Sequence, residues 1–211
     1  MSRDDIRASY DTVADEYTRR FLDELDHKPL DRALLDGFAE LVRGTGPVLD
    51  VGCGPGHAAR YLRERGLDAG GLDLSPAMIE RARAHHPGIP FEVGDLLELG
   101  DRQLAGIAAL YAICNLPPDD LLAAARSFHR ALAAGGRLLV SFHASHDGAP
   151  QLHMDEWWGM PVSVDFWFHP TDTVAFSLEA AGFTIDARFE RRPYPEIEYP
   201  SQRAYLFARR S

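Results

Sequence analysis

The chain predicts an α/β fold, with a mostly parallel seven-stranded sheet, helices on both faces and a helical extension in front. Three observations carry this. From residue 47 onward, short apolar runs alternate with amphipathic stretches, the pattern of strands linked by crossover helices. The first run, Val48-Leu49-Asp50-Val51, breaks into glycines on alternate positions, Gly52, Gly54 and Gly56, the mark of a tight strand-to-helix turn. The next two runs each end in a carboxylate, Asp73 and Asp95. With 211 residues and 45% hydrophobic content, the chain suits one domain spanning 1–211 with a full-sized core.

The elements follow in order. Ile6, Tyr10, Val13, Tyr17, Phe21 and Leu25 recur at helical spacing over residues 4–26. Pro29 opens a second amphipathic helix, stopped by Gly44 and Gly46, so residues 1–45 form a helical cap ahead of the sheet. Strands are predicted at 47–51, 69–72, 90–93, 106–113, 137–143, 183–189 and 203–208. Helices fall at 57–65, 76–85, 118–132 and 171–181. Ser75-Pro76 caps and starts the second of these, and Gly135-Gly136 closes the third. Residues 144–170 break the rhythm and hold all three tryptophans, as an aromatic lid over a site does. Within it Val162, Val164, Phe166 and Phe168 alternate with more polar positions, suggesting a short strand.

Charge and composition narrow the function. A formal charge of −10 without a basic cluster gives no pull toward nucleic acid or anionic lipid. Cys53 and Cys114 form no CxxC pair, so neither a disulfide framework nor a thiolate metal cage is implied. His143-x-x-His146 with His153 and Asp155 sketches a metal site only loosely, and the spacing matches no specific metal motif. No apolar signal core or membrane-length run is present, and a soluble cytoplasmic protein is expected.

The glycine motif carries chemistry. Glycine at 56 with His57 after it departs from the GxGxxG pattern of dinucleotide sites, which counts against a nicotinamide cofactor. A carboxylate such as Asp73 at the second strand's end can accept both hydroxyls of a ribose. Asp50-x-Gly52-x-Gly54-x-Gly56, Asp73 and Asp95 together resemble the motifs of the class I S-adenosylmethionine (SAM)-dependent methyltransferases, which share a Rossmann-like sheet. Tyr10-Asp11-Thr12-Val13-Ala14-Asp15-Glu16-Tyr17 resembles the YDxxAxxY segment of the small-molecule methyltransferases. Ala133-Ala134-Gly135-Gly136 resembles their PGG turn, with Ala134 in place of proline. The resemblance implies that Asp50 helps hold the SAM ammonium, that Asp73 binds the ribose, with Leu74 after it also in the cofactor set, and that Asp95 and Leu96 contact adenine. It extends the cofactor set to Tyr17, Gly52, Cys53, Gly54, Gly56 and Tyr111, although Tyr10 and Tyr17 also fit the apolar face of a helix. The family's acidic residue at the start of the fourth strand is missing near Ala105, and Asn115 stands where relatives often carry His.

Methyl transfer is an in-line displacement that needs a held acceptor, a dry site and, for a protonated nucleophile, a base. His143 at the end of the fifth strand and His146 beyond it are the candidate catalytic bases, against the plainer reading of hydrogen-bonded loop residues. Tyr10, Asn115, Trp157, Trp158, Asp165 and Trp167 are the candidate substrate contacts, with the tryptophan pair equally suited to lid packing. The expected partner is a small-molecule acceptor of the methyl group at oxygen, nitrogen or carbon. The alternatives are a nucleic-acid or protein methyltransferase and a SAM-binding protein without transfer.

Overall fold

Nine strands and six α-helices make up the computed structural model, which describes residues 1–211. The strands are β1 (Val48–Val51), β2 (Ala69–Asp73), β3 (Phe91–Val93), β4 (Leu104–Leu110), β5 (Leu132–Ala144), β6 (Gln151–Trp157), β7 (Met160–Trp167), β8 (Phe183–Arg191) and β9 (Gln202–Arg210). Seven form one sheet in the order β3-β2-β1-β4-β5-β9-β8, while β6 and β7 pair as a separate antiparallel hairpin. The first five strands of the large sheet are parallel, and β9 inserts antiparallel between β5 and β8. Strand order reverses direction between β1 and β4, and in open α/β sheets the crevice outside the carboxyl ends at that point receives the ligand.

The helices are α1 (Arg3–Phe21), α2 (Pro29–Val42), α3 (His57–Glu64), α4 (Pro76–His85), α5 (Leu121–Ala131) and α6 (Thr171–Ala180). All four residues of β1 are buried, as a central strand covered on both faces requires. On one face Ile107, Leu138, Val140 and Phe142 pack with Phe128 of α5 and Leu178 of α6. On the other, Val48, Ala108 and Leu139 meet Phe38 and Val42 of α2 and Leu62 of α3.

Several expected boundaries move, each for a local reason. The first helix ends at Phe21, and a 3₁₀ turn over Glu24–His27 follows; Pro29 disfavours helical geometry at Lys28, which sits at φ −121°, ψ 73°. The fourth strand stops at Leu110 because Tyr111 adopts φ +58°, and a 3₁₀ turn over Ala112–Asn115 replaces the rest. The fifth strand begins at Leu132, with a register shift that absorbs Gly135 and Gly136. The lid holds two strands rather than one, turning at Trp158 and Gly159, both at positive φ. No helix is long and apolar enough to cross a membrane.

Helix α1 lies across the carboxyl edge of the sheet and is fastened on both sides. Asp11 Oδ1 accepts from Ser75 Oγ at 2.5 Å and from the Ala77 N–H at 3.1 Å, joining the N-terminal cap of α4. Ser9 Oγ accepts from the Ser163 N–H at 2.9 Å on the hairpin's edge strand. Replacing Asp11 with alanine should therefore cost about 1–2 kcal/mol, the worth of a lost cap with charge-assisted bonds. It should also speed proteolytic cutting in the 22–28 connection. An unchanged urea midpoint and cleavage rate would show that α1 does not depend on this clasp.

Candidate active site

The turn after β1 is built by glycine for two separate reasons. A Cβ at Gly52 (φ +70°) would come within 2.6 Å of the Ala112 Cβ, and one at Gly56 (φ +84°) within 2.6 Å of the Phe91 ring. At Gly54 (φ +50°) the nearest atom is Tyr17 Cε1 at 3.7 Å, so this residue leaves open space rather than avoiding a clash. Asp73 locks the turn: its Oδ2 accepts from the Gly54 N–H at 2.8 Å and its Oδ1 from the Ser75 N–H at 2.9 Å. Burial pushes its carboxyl up, and the backbone donors at Ser75 and Gly54 oppose that shift. Asp95 accepts from the Leu97 N–H at 2.9 Å and pairs with Arg3 Nε at 3.1 Å.

These groups line one cleft at the carboxyl ends of the parallel strands. Gly52, Gly54, Asp73, Leu74, Asp95 and Leu96 form its sheet side, and Tyr10 and Tyr17 of α1 cover it. Tyr111, Ala112 and Asn115 close the far end. Tyr10 donates to Asn115 Oδ1 at 2.9 Å, and Asn115 Nδ2 donates to the Asp165 carbonyl at 2.8 Å. Arg3 and Ile6 of α1, Met78 of α4 and the backbone at Gly94 also line the cleft. The sequence offered no signal for them beyond the amphipathic face that carries Ile6.

Other expected site residues lie elsewhere. Asp50 is 1% exposed and its Oδ2 accepts from the Ala59 N–H at 3.0 Å, so it anchors the first turn of α3 instead of facing the cleft. Burial pushes its carboxyl up to about 7. Cys53 is buried with Ala59, Ile79 and Phe91 behind the turn, and Gly56 faces Phe91 and His86. Trp157 and Trp158 stack at 4.8 Å and grip α1 through Tyr10, Tyr17 and Phe21; neither lines the cleft. Asp165 and Trp167 are outside it too. Burial would raise the Asp165 carboxyl, but hydrogen bonds from His153 and Gln151 hold it below the usual range.

The two candidate bases are also displaced from the cleft. His143 packs among Tyr111, Phe168 and Tyr199, with Nδ1 2.7 Å from Ser201 Oγ. Burial, then Arg203 and Lys28, push its imidazole down to about 3. Arg203 donates to the same Ser201 oxygen, which fixes that hydroxyl beside His143. His146 is mostly exposed, with Nε2 3.7 Å from Glu190 Oε2. Because His143, His146 and His153 hold different partners (Ser201, Glu190 and Asp165), they do not converge on a metal, and no group of three potential ligands exists.

Comparison with known proteins now decides the family: a methyltransferase-domain model matches residues 15–188. The chain belongs to the SAM-dependent methyltransferases. It is 33% identical over 135 residues to the trans-aconitate 2-methyltransferase of Methylobacterium nodulans, covering 63% of this chain and 47% of that protein. It is 28% identical over 192 residues to the N-demethylindolmycin N-methyltransferase of Streptomyces griseus, covering 77% and 79%. The chain spans 34–47% of the length of the first curated relatives it matches. A solved DhpI–SAH complex shares the fold, with a TM-score of 0.74, 24% identity and coverage of 99% and 97%.

The methyltransferase cleft fits the family's cofactor by its own features. A side-chain-free position at Gly54 admits a ligand, and Asp73 retains acceptor lone pairs beyond its two backbone bonds. The raised Asp50 carboxyl yields a pH test. Folding holds its proton more tightly than the unfolded chain does, so its contribution to stability falls as pH rises from 3.8 to about 7. Asp50→Asn keeps an acceptor for Ala59 without the buried charge. From pH 5 to pH 8 its melting temperature should rise relative to wild type by at least about 3 °C, roughly 1 kcal/mol for a chain of this size. Parallel curves would contradict the placement.

Proposed function

We propose that this protein transfers the methyl group of SAM to a small-molecule acceptor in the cleft between the sheet edge and α1. The observation that carries this is Asp73 holding the glycine turn while facing the cleft, beside Asp95. In this reading Asp73 binds the ribose, Asp95 and Leu96 the adenine, and Gly52, Gly54 and Tyr17 the methionine end. SAM supplies a methyl carbon activated by the positive sulfonium. The chain's part is to align the acceptor and keep water out: Tyr10, Asn115 and Tyr111 close that end, and the hairpin clamps α1 over it.

The polar side chains at that end are neutral phenols and one amide. Burial pushes the hydroxyls of Tyr10, Tyr17 and Tyr111 far up, so none takes a proton near neutrality. His143 lies outside the cleft, and burial leaves its imidazole too weak a base to take a proton near neutrality. The favoured acceptor therefore arrives with a free lone pair, as a carboxylate, an acidic hydroxyl already ionised or an unprotonated amine. The names of the relatives include both O- and N-methyltransferases, so the family does not choose among these. The net charge of −10 disfavours a nucleic-acid acceptor, and two buried unpaired cysteines suit a reducing cytoplasm.

Incubating the protein with SAM and a panel of carboxylate, phenol and amine metabolites should yield S-adenosylhomocysteine with at least one class. Asp73→Ala should weaken SAM binding about 10–100-fold, the loss of hydrogen bonds to a charged acceptor. Tight SAM binding without product across the panel would point to a non-transferring SAM protein. His143→Gln should leave the position of the pH–rate profile between pH 6 and 9 unchanged. Loss of an ionisation near 6–7 in that variant would restore His143 as a base.

A further inference from the structure

A string of buried ions runs beside the glycine end of the cleft. Glu24, on the 3₁₀ turn between α1 and α2, places Oε1 3.0 Å from His57 Nε2 and Oε2 2.5 Å from Lys28 Nζ. Lys28, the chain's only lysine, also lies 3.3 Å from Glu198 Oε1. Glu198 is in turn held by Arg191 at 2.6 Å, and Arg191 reaches Asp31 at 2.7 Å. Arg203 Nε lies 3.6 Å from Glu198 Oε1, so the charges balance, with Glu24, Asp31 and Glu198 against Lys28, Arg191 and Arg203. Side-chain exposure is only 7% for Lys28, 12% for His57 and 15% for Glu24.

Burying so many ions costs several kcal/mol each, and well-packed apolar residues would serve a purely structural role as well. The position of the string suggests a reason to keep it. His57 opens α3 directly after Gly56, and its Nδ1 is buried without a partner. Lys28 Nζ stands 5.5 Å over the ring of Tyr111, and Glu24 is close enough to Tyr17 to add to the upward push of burial on its hydroxyl. Tyr17, Tyr111 and Gly54 all line the cleft. An acid, a base and an imidazole thus meet behind the wall of the cleft that Tyr17 and Tyr111 form.

We propose that Glu24, Lys28 and His57 form a zwitterion subsite that takes the amino-acid end of the S-adenosyl ligand. Glu24 receives its ammonium, and Lys28 with His57 its carboxylate. A balanced ion string suits this task because a zwitterion exchanges partners with Glu24 and Lys28 without changing the buried net charge. The inference rests on the SAM reading and adds the groups that read the ligand's two charges.

Calorimetry with two ligands tests it. S-adenosylhomocysteine carries the amino-acid end, whereas 5′-methylthioadenosine has the same adenosine and a thioether without it. Wild type should prefer the former about 100-fold or more. Glu24→Gln and Lys28→Gln should each cost about 10–100-fold in S-adenosylhomocysteine affinity, the worth of a hydrogen bond to a charged group. The same variants should change methylthioadenosine affinity less than about 3-fold, and Lys28→Arg should recover part of the loss. Equal losses for both ligands, or no loss for either, would overturn the subsite. Should the neutral variants not fold, wild type against decarboxylated S-adenosylhomocysteine decides: about 10-fold weaker binding supports the subsite and equal affinity overturns it. Binding of neither adenosyl ligand would instead overturn the underlying SAM reading.

Discussion

The carboxylate of Asp73 is the point on which the site turns. One side chain at the end of β2 receives the N–H of Gly54 across the crevice and the N–H of Ser75 two residues on. It thereby sets the glycine turn after β1 and the start of α4 together. Ser75, so placed, caps α4 and donates to Asp11, which brings α1 over the same edge. The turn, the helix cap and the cover of the cleft are thus linked by consecutive short hydrogen bonds, and all meet near the β1/β4 reversal of the sheet. Such an arrangement positions acceptors for a ligand before it arrives, which reduces the ordering cost of binding.

The cover is itself a composite. The hairpin of β6 and β7 reaches α1 through Ser163 and the paired tryptophans, and reaches the end of the cleft through the Asp165 carbonyl on Asn115. Its tip places Trp158 at φ +55°, a conformation that costs an ordinary residue about 1 kcal/mol or more. The contacts of Trp158 with Tyr17, Phe21 and Arg20 offset that cost. Tyr111 carries a similar cost at φ +58°, with its hydroxyl 3.0 Å from that of Tyr205 and its ring facing Lys28 and Arg203. Both outliers sit where the chain turns to enclose the cleft, and surrounding structure holds each in place.

Local pattern made the sheet legible, because strand and helix periods and the glycine turn are properties of adjacent residues. The same holds for Asp73, Asp95 and Tyr17, whose places follow from strand ends and helix spacing. Asp50 and Asp73 both read as cofactor contacts in the sequence, yet the first turns inward to the Ala59 N–H and the second toward the cleft. That difference comes from the path of α3, which no motif records. His143 was visible as a strand end, but not the Arg203, Lys28 and Ser201 around it, which come from β9, the α1–α2 connection and the β8–β9 loop. Trp157 and Trp158 were readable as lid residues and not as a clamp, since their partners on α1 are more than a hundred residues away in the chain. Arg3 and the ion string were hidden for the same reason.

A crystal structure grown with S-adenosylhomocysteine tests the central claim most directly. The ligand should lie across the carboxyl ends of β1, β2 and β4, with its ribose hydroxyls within hydrogen-bond distance of Asp73 and its sulfur toward Tyr111 and Asn115. Density for the ligand elsewhere, or a ribose out of reach of Asp73, would contradict it.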